Sequence, residues 1–259
     1  MKNSFEKQLQ FYELGEDYFW LSAHYDIAIS ALNKYLQRFP IKKNDTKILD
    51  AGCGPGHFLS RLKEHGNIYG TDYSKDALAF CLQKHSIPVF VSDLERIPIR
   101  SDYFDCIVSL ETIEHVQQDV SVLREYHRIL KPGGVCLISV PAFMSLWGSH
   151  DEWNKHFRRY ERAELKQKIE DTGFSIKECH YIKGLFFLPL WVVRKLKKIF
   201  KTSAVKQEDD FYHVNQLVNN FLRWVIFYEY KLGLSAVLPF GVSHLCIFRK
   251  DPDPVKNVT

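Results

Sequence analysis

The stretch Lys47–Phe58, KILDAGCGPGHF, decides the reading of this chain. A short aliphatic run closes on Asp50, and Gly52, Gly54 and Gly56 then follow at alternate positions. Glycines so placed remove the side chains that would hold a ligand away from the backbone. A turn of this kind, between a strand and an amphipathic stretch, is the first strand-to-helix connection of a parallel α/β sheet, and ligands lie beyond the carboxyl ends of such strands.

On either side of the turn, β-branched runs alternate with helix-length amphipathic stretches, the pattern of strand-helix-strand units. Strands are expected at Lys47 to Ala51, Ile68 to Asp72, Pro88 to Ser92, Phe104 to Leu110 and Val135 to Pro141. Between them, HFLSRLKEHG reads as a helix closed by Gly66 and SKDALAFCLQKH as one opened by Ser74. A third, DVSVLREYHRILKPGG, places Leu123, Tyr126, Ile129 and Leu130 on one face, and its Lys-Pro-Gly-Gly ending predicts that the next strand starts at Val135. Beyond Pro141 an aromatic and histidine-rich loop runs to Tyr160, before the helix ERAELKQKIEDTG. Two further strands, from Phe174 and from Val242, flank a basic segment, the polar run KTSAVKQEDD and the aromatic helix FYHVNQLVNNFLRWVIFYEYKLG.

The 259 residues are 46% hydrophobic and 25% charged, enough to bury a sizeable core. Net charge is +4, and Arg194, Lys195, Lys197, Lys198 and Lys201 alone exceed it, so the remainder is slightly acidic. Basicity confined to one segment argues against nucleic-acid binding. Six cysteines without a Cys-x-x-Cys pair suit neither a zinc knuckle nor a disulfide framework, and a reducing, cytoplasmic location is expected. MKNSFEKQLQ lacks the apolar core of a signal peptide. The longest apolar run, GLFFLPLWVV, is about half the roughly 20 residues of a membrane-spanning helix.

A dinucleotide turn has a small residue at the third glycine position of Gly-x-Gly-x-x-Gly; here that position is His57. Asp50 precedes the turn and no Lys or Arg lies in it, which favours a cationic, nucleoside-bearing ligand over a diphosphate. S-adenosylmethionine, with its sulfonium, amino group and ribose hydroxyls, fits. The motifs ILDAGCGPG, YGTDYS, VSDLERIPI, FDCIVSLETIEHV and ILKPGGVCLISVPA, in that order, resemble those of the class I S-adenosylmethionine-dependent methyltransferases. The stretch around ETIEHV is similar to that of the ubiquinone-biosynthesis O-methyltransferases.

The resemblance implies one domain over 1–259, built on a doubly wound, mostly parallel seven-stranded sheet with helices on both faces and a C-terminal antiparallel hairpin strand. Residues 1–45 would form a helical cover, 46–142 the cofactor core, 143–241 the acceptor loop and helical insertion, and 242–250 the last strand. It also implies that Gly52, Gly54 and Gly56, with Asp50 and Cys53, lie against the methionyl and ribose parts. Asp72, next to Tyr73, would take the ribose hydroxyls, Asp93 and Leu94 frame adenine, and Leu110 and Glu111 line the remaining side. Cys53 is assigned no chemistry. DYFWLSAHYDIAISAL resembles a cofactor-covering pattern, with Trp20 matching and His24 where Arg is usual.

If the acceptor is a hydroxyl, a base must take its proton, and histidine is the natural one. Candidates fall on two loops. Glu111, Glu114 and His115 are spaced to project from one face of a helical turn. This is metal-ligand spacing, but two carboxylates and one imidazole without a fourth ligand are an incomplete set, so no metal is expected. His150, Asp151, His156, Arg158, Arg159 and Tyr160 form the second cluster, with His150 the first choice of base; the alternative is a solvated loop in which one Arg pairs with Asp151 or Glu152. On a helical wheel Val192, Val193, Leu196, Ile199 and Phe200 share one arc that excludes the five basic residues. The segment 184–201 therefore suits either an anionic membrane surface or a cap over the site. The expected function is methyl transfer to a small-molecule or lipid-linked acceptor, most simply at oxygen. A non-catalytic cofactor-binding module and, less favoured, an NAD-dependent oxidoreductase remain as alternatives.

Overall fold

The computed structural model describes residues 17–36, 45–199 and 214–252. Most of the N-terminal stretch, KTSAVKQEDD, and Phe200 and Lys201 of the amphipathic segment lie outside the described residues. Seven strands form one sheet: β1 Lys47–Ala51, β2 Asn67–Asp72, β3 Val89–Val91, β4 Phe104–Leu110, β5 Leu130–Pro141, β6 Phe174–Ile182 and β7 Ser243–Lys250. Their order is β3-β2-β1-β4-β5-β7-β6. The first five pair in parallel, and β7 runs antiparallel between β5 and β6. The expected doubly wound sheet with an antiparallel C-terminal strand is therefore present.

The order reverses between β1 and β4, so the carboxyl ends of these two strands flank the crevice of the fold. Alternation along each strand divides the core in two. Ile48, Cys106, Val108, Leu137 and Ile247 pack under α1 Phe19–Leu36, α2 His57–Leu62 and α3 Lys75–Lys84. Leu49, Ile107, Cys136, Ile138 and Phe248 pack under α4 Asp119–Ile129 and, beyond a short helix α5 Ser149–Trp153, α6 Arg162–Glu170. Two-residue periodicity with both faces covered is why these strands read as continuous apolar runs. Each fully buried aliphatic side chain contributes about 1.5–3 kcal/mol.

Three expectations need correction. Leu130 belongs to β5 rather than to the helix, because it pairs with Phe104 before a bulge, so the strand starts five residues ahead of Val135. The aromatic helix, α8 Gln216–Lys231, begins after Val214 and Asn215, where the Asn215 side chain accepts from the Leu217 N–H. Cys179 and Cys246 are joined as a disulfide: they are register partners on β6 and β7, a proximity that their separation of 67 residues hides. The other cysteines described, 53, 81, 106 and 136, are buried free thiols.

Between β6 and α8 lies α7 Phe187–Ile199, and a short α9 Leu234–Val237 leads into β7. No helix among the described residues is long and apolar enough to cross a membrane. Helix α1 is fastened to α8 by Asp26, which accepts from Arg223, and by Asn219, which accepts from the Phe19 N–H and donates to the Asp17 carbonyl.

Candidate active site

The three glycines of the opening turn have different tasks. A Cβ on Gly52, at φ +83°, would stand 2.2 Å from Thr112, and one on Gly56, at φ +88°, would stand 2.4 Å from the Cys81 sulfur. These two let the turn fold onto the protein itself. Gly54, at φ +52°, would meet nothing within 4 Å and alone faces open space. The turn is held by the Gly52 and Cys53 N–H groups, which donate to the Thr71 carbonyl, and by Gly54 N–H, which donates to Asp72 Oδ2 at 2.8 Å. Asp72 Oδ1 accepts from Ser74 N–H, so each oxygen keeps one further lone pair for a ligand hydroxyl.

Asp50 is 2% exposed and its Oδ2 has no hydrogen-bond partner. Burial, reinforced by the charge of Asp72, pushes its carboxyl up to about 8. An orphaned acid beside an open glycine cradle suits a cationic ligand, so the residues present fit S-adenosylmethionine. Cys53 is buried in the core, as its lack of assigned chemistry implied. Tyr73 is 81% exposed at the rim, Leu94 is buried, and Asp93 is exposed, with Oδ1 accepting from Glu95 N–H. Leu110 and Glu111 are half-buried at the end of β4, with Glu111 at φ +48° and its N–H donating to the Ser139 carbonyl at 2.9 Å.

Beyond β4 the chain makes a 3₁₀ turn, Ile113–His115, rather than an α-helical one. Glu114 and His115 thus approach His156 from the second loop, whereas Glu111 stays outside that group. Glu114 is fully buried and neither of its oxygens has a partner; burial, with the nearby charge of Glu111, holds its carboxyl well above the usual range. His156 Nε2 is 4.0 Å from Glu114 Oε1, and its Nδ1 hydrogen-bonds Asp151 Oδ1 at 3.0 Å. An ionised carboxylate only accepts, so the proton sits on Nδ1 and Nε2 faces Glu114.

Asp151 is fully buried and anchors this loop. It also accepts from Arg159 Nε at 2.8 Å and from Gly148 N–H at 2.8 Å, and Arg194 of α7 stands 3.6 Å away. Although burial opposes it, the His156 hydrogen bond and the Arg159 charge hold its carboxyl well below the usual range. The arginine paired with Asp151 is Arg159, and the pair is buried rather than part of a solvated loop, while Arg158 pairs with Asp119. Tyr160 OH donates to Asp119 as well, which ties the loop to α4. His150, the first choice of base, lies 6.1 Å from His156 between ring centroids, with its Nε2 3.0 Å from the Asn154 amide nitrogen.

One member of a further cluster had no signal in the sequence. Lys183, at φ +61° just past β6, is 1% exposed; its Nζ lies 2.8 Å from His24 Nδ1 and 4.3 Å from the centre of the Trp20 ring. His24 Nε2 reaches Ser139 Oγ at 2.8 Å. Burial pulls the Lys183 ammonium down to about 8 against the opposing charges of Glu111 and Glu229. The covering helix thus brings Trp20 and His24 together with a lysine from a different element.

Residues 49–138 match a family described as methyltransferase domain. That match spans the glycine turn, the ends of β2 and β4, and β5. Residues 49–138 therefore carry a methyltransferase domain. The chain is 25% identical, over 64% of its own length and 63% of the other, to a probable S-adenosylmethionine-dependent methyltransferase of Mycolicibacterium smegmatis. It is 29% identical to a malonyl-[acyl-carrier protein] O-methyltransferase of Buchnera aphidicola, over 61% and 64% of the two lengths. The chain spans less than two thirds of either relative. The fold of Haemonchus contortus phosphoethanolamine N-methyltransferase 2, solved with S-adenosyl-L-methionine, superposes with a TM-score of 0.53 at 18% identity, over 85% of this chain and 52% of that one.

Proposed function

We propose that the chain transfers a methyl group from S-adenosylmethionine to a small-molecule or lipid-linked acceptor, and that the methylated atom is oxygen. The observation that carries this reading is the cluster of Glu114, His115 and His156, oriented by Asp151, on the same sheet edge as the Asp50–Gly54 turn. Bound cofactor would supply a methyl already activated by its sulfonium. The chain's task is then alignment: Gly54 and Asp72 seat the nucleoside end, Asp50 answers the positive end, and the 3₁₀ turn after β4 sets the acceptor in line. An oxygen acceptor must lose its proton, and the imidazole cluster is the group placed to lower the cost of that step. The malonyl-carrier relative is named for methylation at oxygen and the phosphoethanolamine neighbour for methylation at nitrogen, so the residues and not the fold favour oxygen here.

An extract-wide assay with labelled methyl donor tests this directly. A labelled ether or ester is expected, and its formation should fall at least about 100-fold in His156→Gln, within the range for loss of a proton-transfer group. Label appearing only in amines, or label insensitive to that substitution, would overturn the oxygen assignment. Cofactor binding without transfer to any acceptor would favour the non-catalytic module.

A lipid-linked acceptor is favoured by the surface of α7, where Val192, Val193, Leu196 and Lys195 are all exposed. Among the described residues of this helix, the apolar Val192, Val193 and Leu196 face outward, and Arg194 turns inward, toward Asp151. Co-sedimentation with phosphatidylglycerol vesicles should decline when Lys195, Lys197 and Lys198 are changed to Gln. Equal binding by both chains would exclude membrane attachment through this helix.

A further inference from the structure

Helix α8 is apolar on two faces and buries only one of them. Leu222, Ile226, Phe227 and Tyr230 pack into the core shared with α1. Leu217, Phe221, Trp224 and Tyr228, spaced to lie along one side of the helix, are exposed. Phe221 is 61% and Trp224 55% exposed; their rings stack at 6.4 Å, with Tyr228 4.7 Å beyond Trp224. The helix leads through the exposed Leu232 into α9, where Leu234 and Val237 are exposed as well. A helix that is apolar all round belongs inside a protein or in a membrane, and an exposed apolar patch marks a contact surface.

What covers this surface is indicated by charge. From Val214 to Val242 the only acidic residue is Glu229, which is buried and accepts from the Gly184 and Leu185 N–H groups; from Lys183 to Ile199 there is none. Those two bonds join α8 to the root of α7, where Leu188 is exposed, and Leu238 at the end of α9 lies against Gly184, so the three helices meet there. Among their described residues the exposed charges, Lys195 and Lys231, are both positive. A second copy of the chain, laid face to face about a two-fold axis, would set lysines against lysines. An anionic bilayer complements them, and Trp, Tyr and Phe are side chains that settle at the level of its headgroups.

The sheet fixes where the surface lies. β5 and β6 both pair antiparallel to β7, so β6 runs in the direction of β1, β4 and β5, and its last residue, Ile182, ends on the carboxyl edge that carries the Asp50–Gly54 turn. Gly184, two residues on, therefore places the junction of the helices on the crevice edge. We propose that the exposed face of α8 and α9 docks on an anionic lipid bilayer and seats the crevice edge at the membrane surface. The acceptor class rests on the reaction proposed above: it narrows to an amphiphile whose reacting oxygen enters the crevice while its apolar chain stays in the bilayer. Attachment through α8 differs from attraction by the lysines of α7, because apolar burial is indifferent to screening and charge attraction is not.

The test takes the full chain to vesicles of mixed phosphatidylglycerol and phosphatidylcholine, with no acceptor present. Co-sedimentation should persist in about 1 M salt, where the screening length is about 3 Å. The double variant Phe221→Gln, Trp224→Gln should weaken it at least about tenfold while melting at the native temperature, since both side chains are exposed and Gln preserves the helix. Val237→Gln, on α9, should weaken it about threefold and decides the matter if the double variant melts early. Binding abolished by salt, absent from the native chain, or unchanged in the variants would overturn the docking face. So would a lipid-free dimer in sedimentation velocity that the variants dissolve, because the face would then belong to a second copy. The surface and the reaction fail separately: vesicle binding without methyl transfer to any acceptor would leave the surface standing and sink the reaction, whereas water-soluble labelled product without vesicle binding would do the reverse.

Discussion

The two halves of the crevice are built in opposite ways. At the half proposed to hold the cofactor, every candidate residue sits at or near a strand end: Asp50 and the turn to Gly56 at the end of β1, Asp72 closing β2, Asp93 after β3. At the acceptor half, Asp151 gathers Gly148, His156 and Arg159 from one loop and Arg194 from a helix beyond β6, and presents His156 to Glu114 after β4. The first half is fixed by backbone conformation, the second by side-chain ion pairs. A site made of turns is local and tolerant of what happens elsewhere; a site made of buried charges is cooperative and depends on every member.

The largest expected effect falls on the charged half. Asp151→Ala would leave Arg159 buried without its partner and cost about 3–5 kcal/mol, read as a lowered denaturant midpoint. If the halves are independent, the surviving folded fraction keeps its S-adenosylmethionine affinity; a parallel loss of cofactor binding would break the contrast. Next come the glycines. Gly52→Val, blocked by Thr112 and by its positive φ, should cost about 3 kcal/mol of stability. Gly54→Val has room and should cost only about 1–2 kcal/mol, yet lose cofactor affinity by two orders of magnitude or more in a calorimetric titration. Equal stability losses for the two would refute the separate roles given to them.

A smaller effect is set by Asp50. Its folded-state pKa, about 8, lies above the ordinary 3.8, so the ligand-free protein holds this proton more tightly than the unfolded chain. The resulting stabilisation is fully present below pH 3.8 and is lost as pH climbs through about 8. A cationic cofactor should displace the proton. Calorimetry at pH 7 in buffers of different ionisation enthalpy should show close to one proton released per cofactor bound, and none in Asp50→Asn. The smallest shift belongs to Arg194→Gln, whose 3.6 Å pairing lies at the edge of the cluster and should be worth under about 1 kcal/mol.

This division also explains what could be read from the amino-acid sequence. The sheet and its strand ends were legible because alternation and glycine spacing are local, and five of the seven strands depend on that pattern alone. His115 and His156 were legible as candidate residue types, but not as neighbours, because their meeting depends on a 3₁₀ turn where an α-helical face was expected. Lys183 was invisible: a lysine after a strand reads as solvated, and only the packing of α1 over β6 shows that it is buried against Trp20 and His24. The Cys179–Cys246 pair likewise needed the β6–β7 register.

The placement of β7 has a consequence for biosynthesis. It is the last strand described, yet it lies between β5 and β6 and carries His244, whose ring nitrogen is 3.1 Å from the Tyr160 carbonyl of the acceptor loop. Until that strand has left the ribosome, β5 and β6 each present an unpaired edge and the loop lacks one of its moorings. The nascent chain can therefore complete the turns after β1 and β2 first, and the loop that carries His156 only once β7 has emerged.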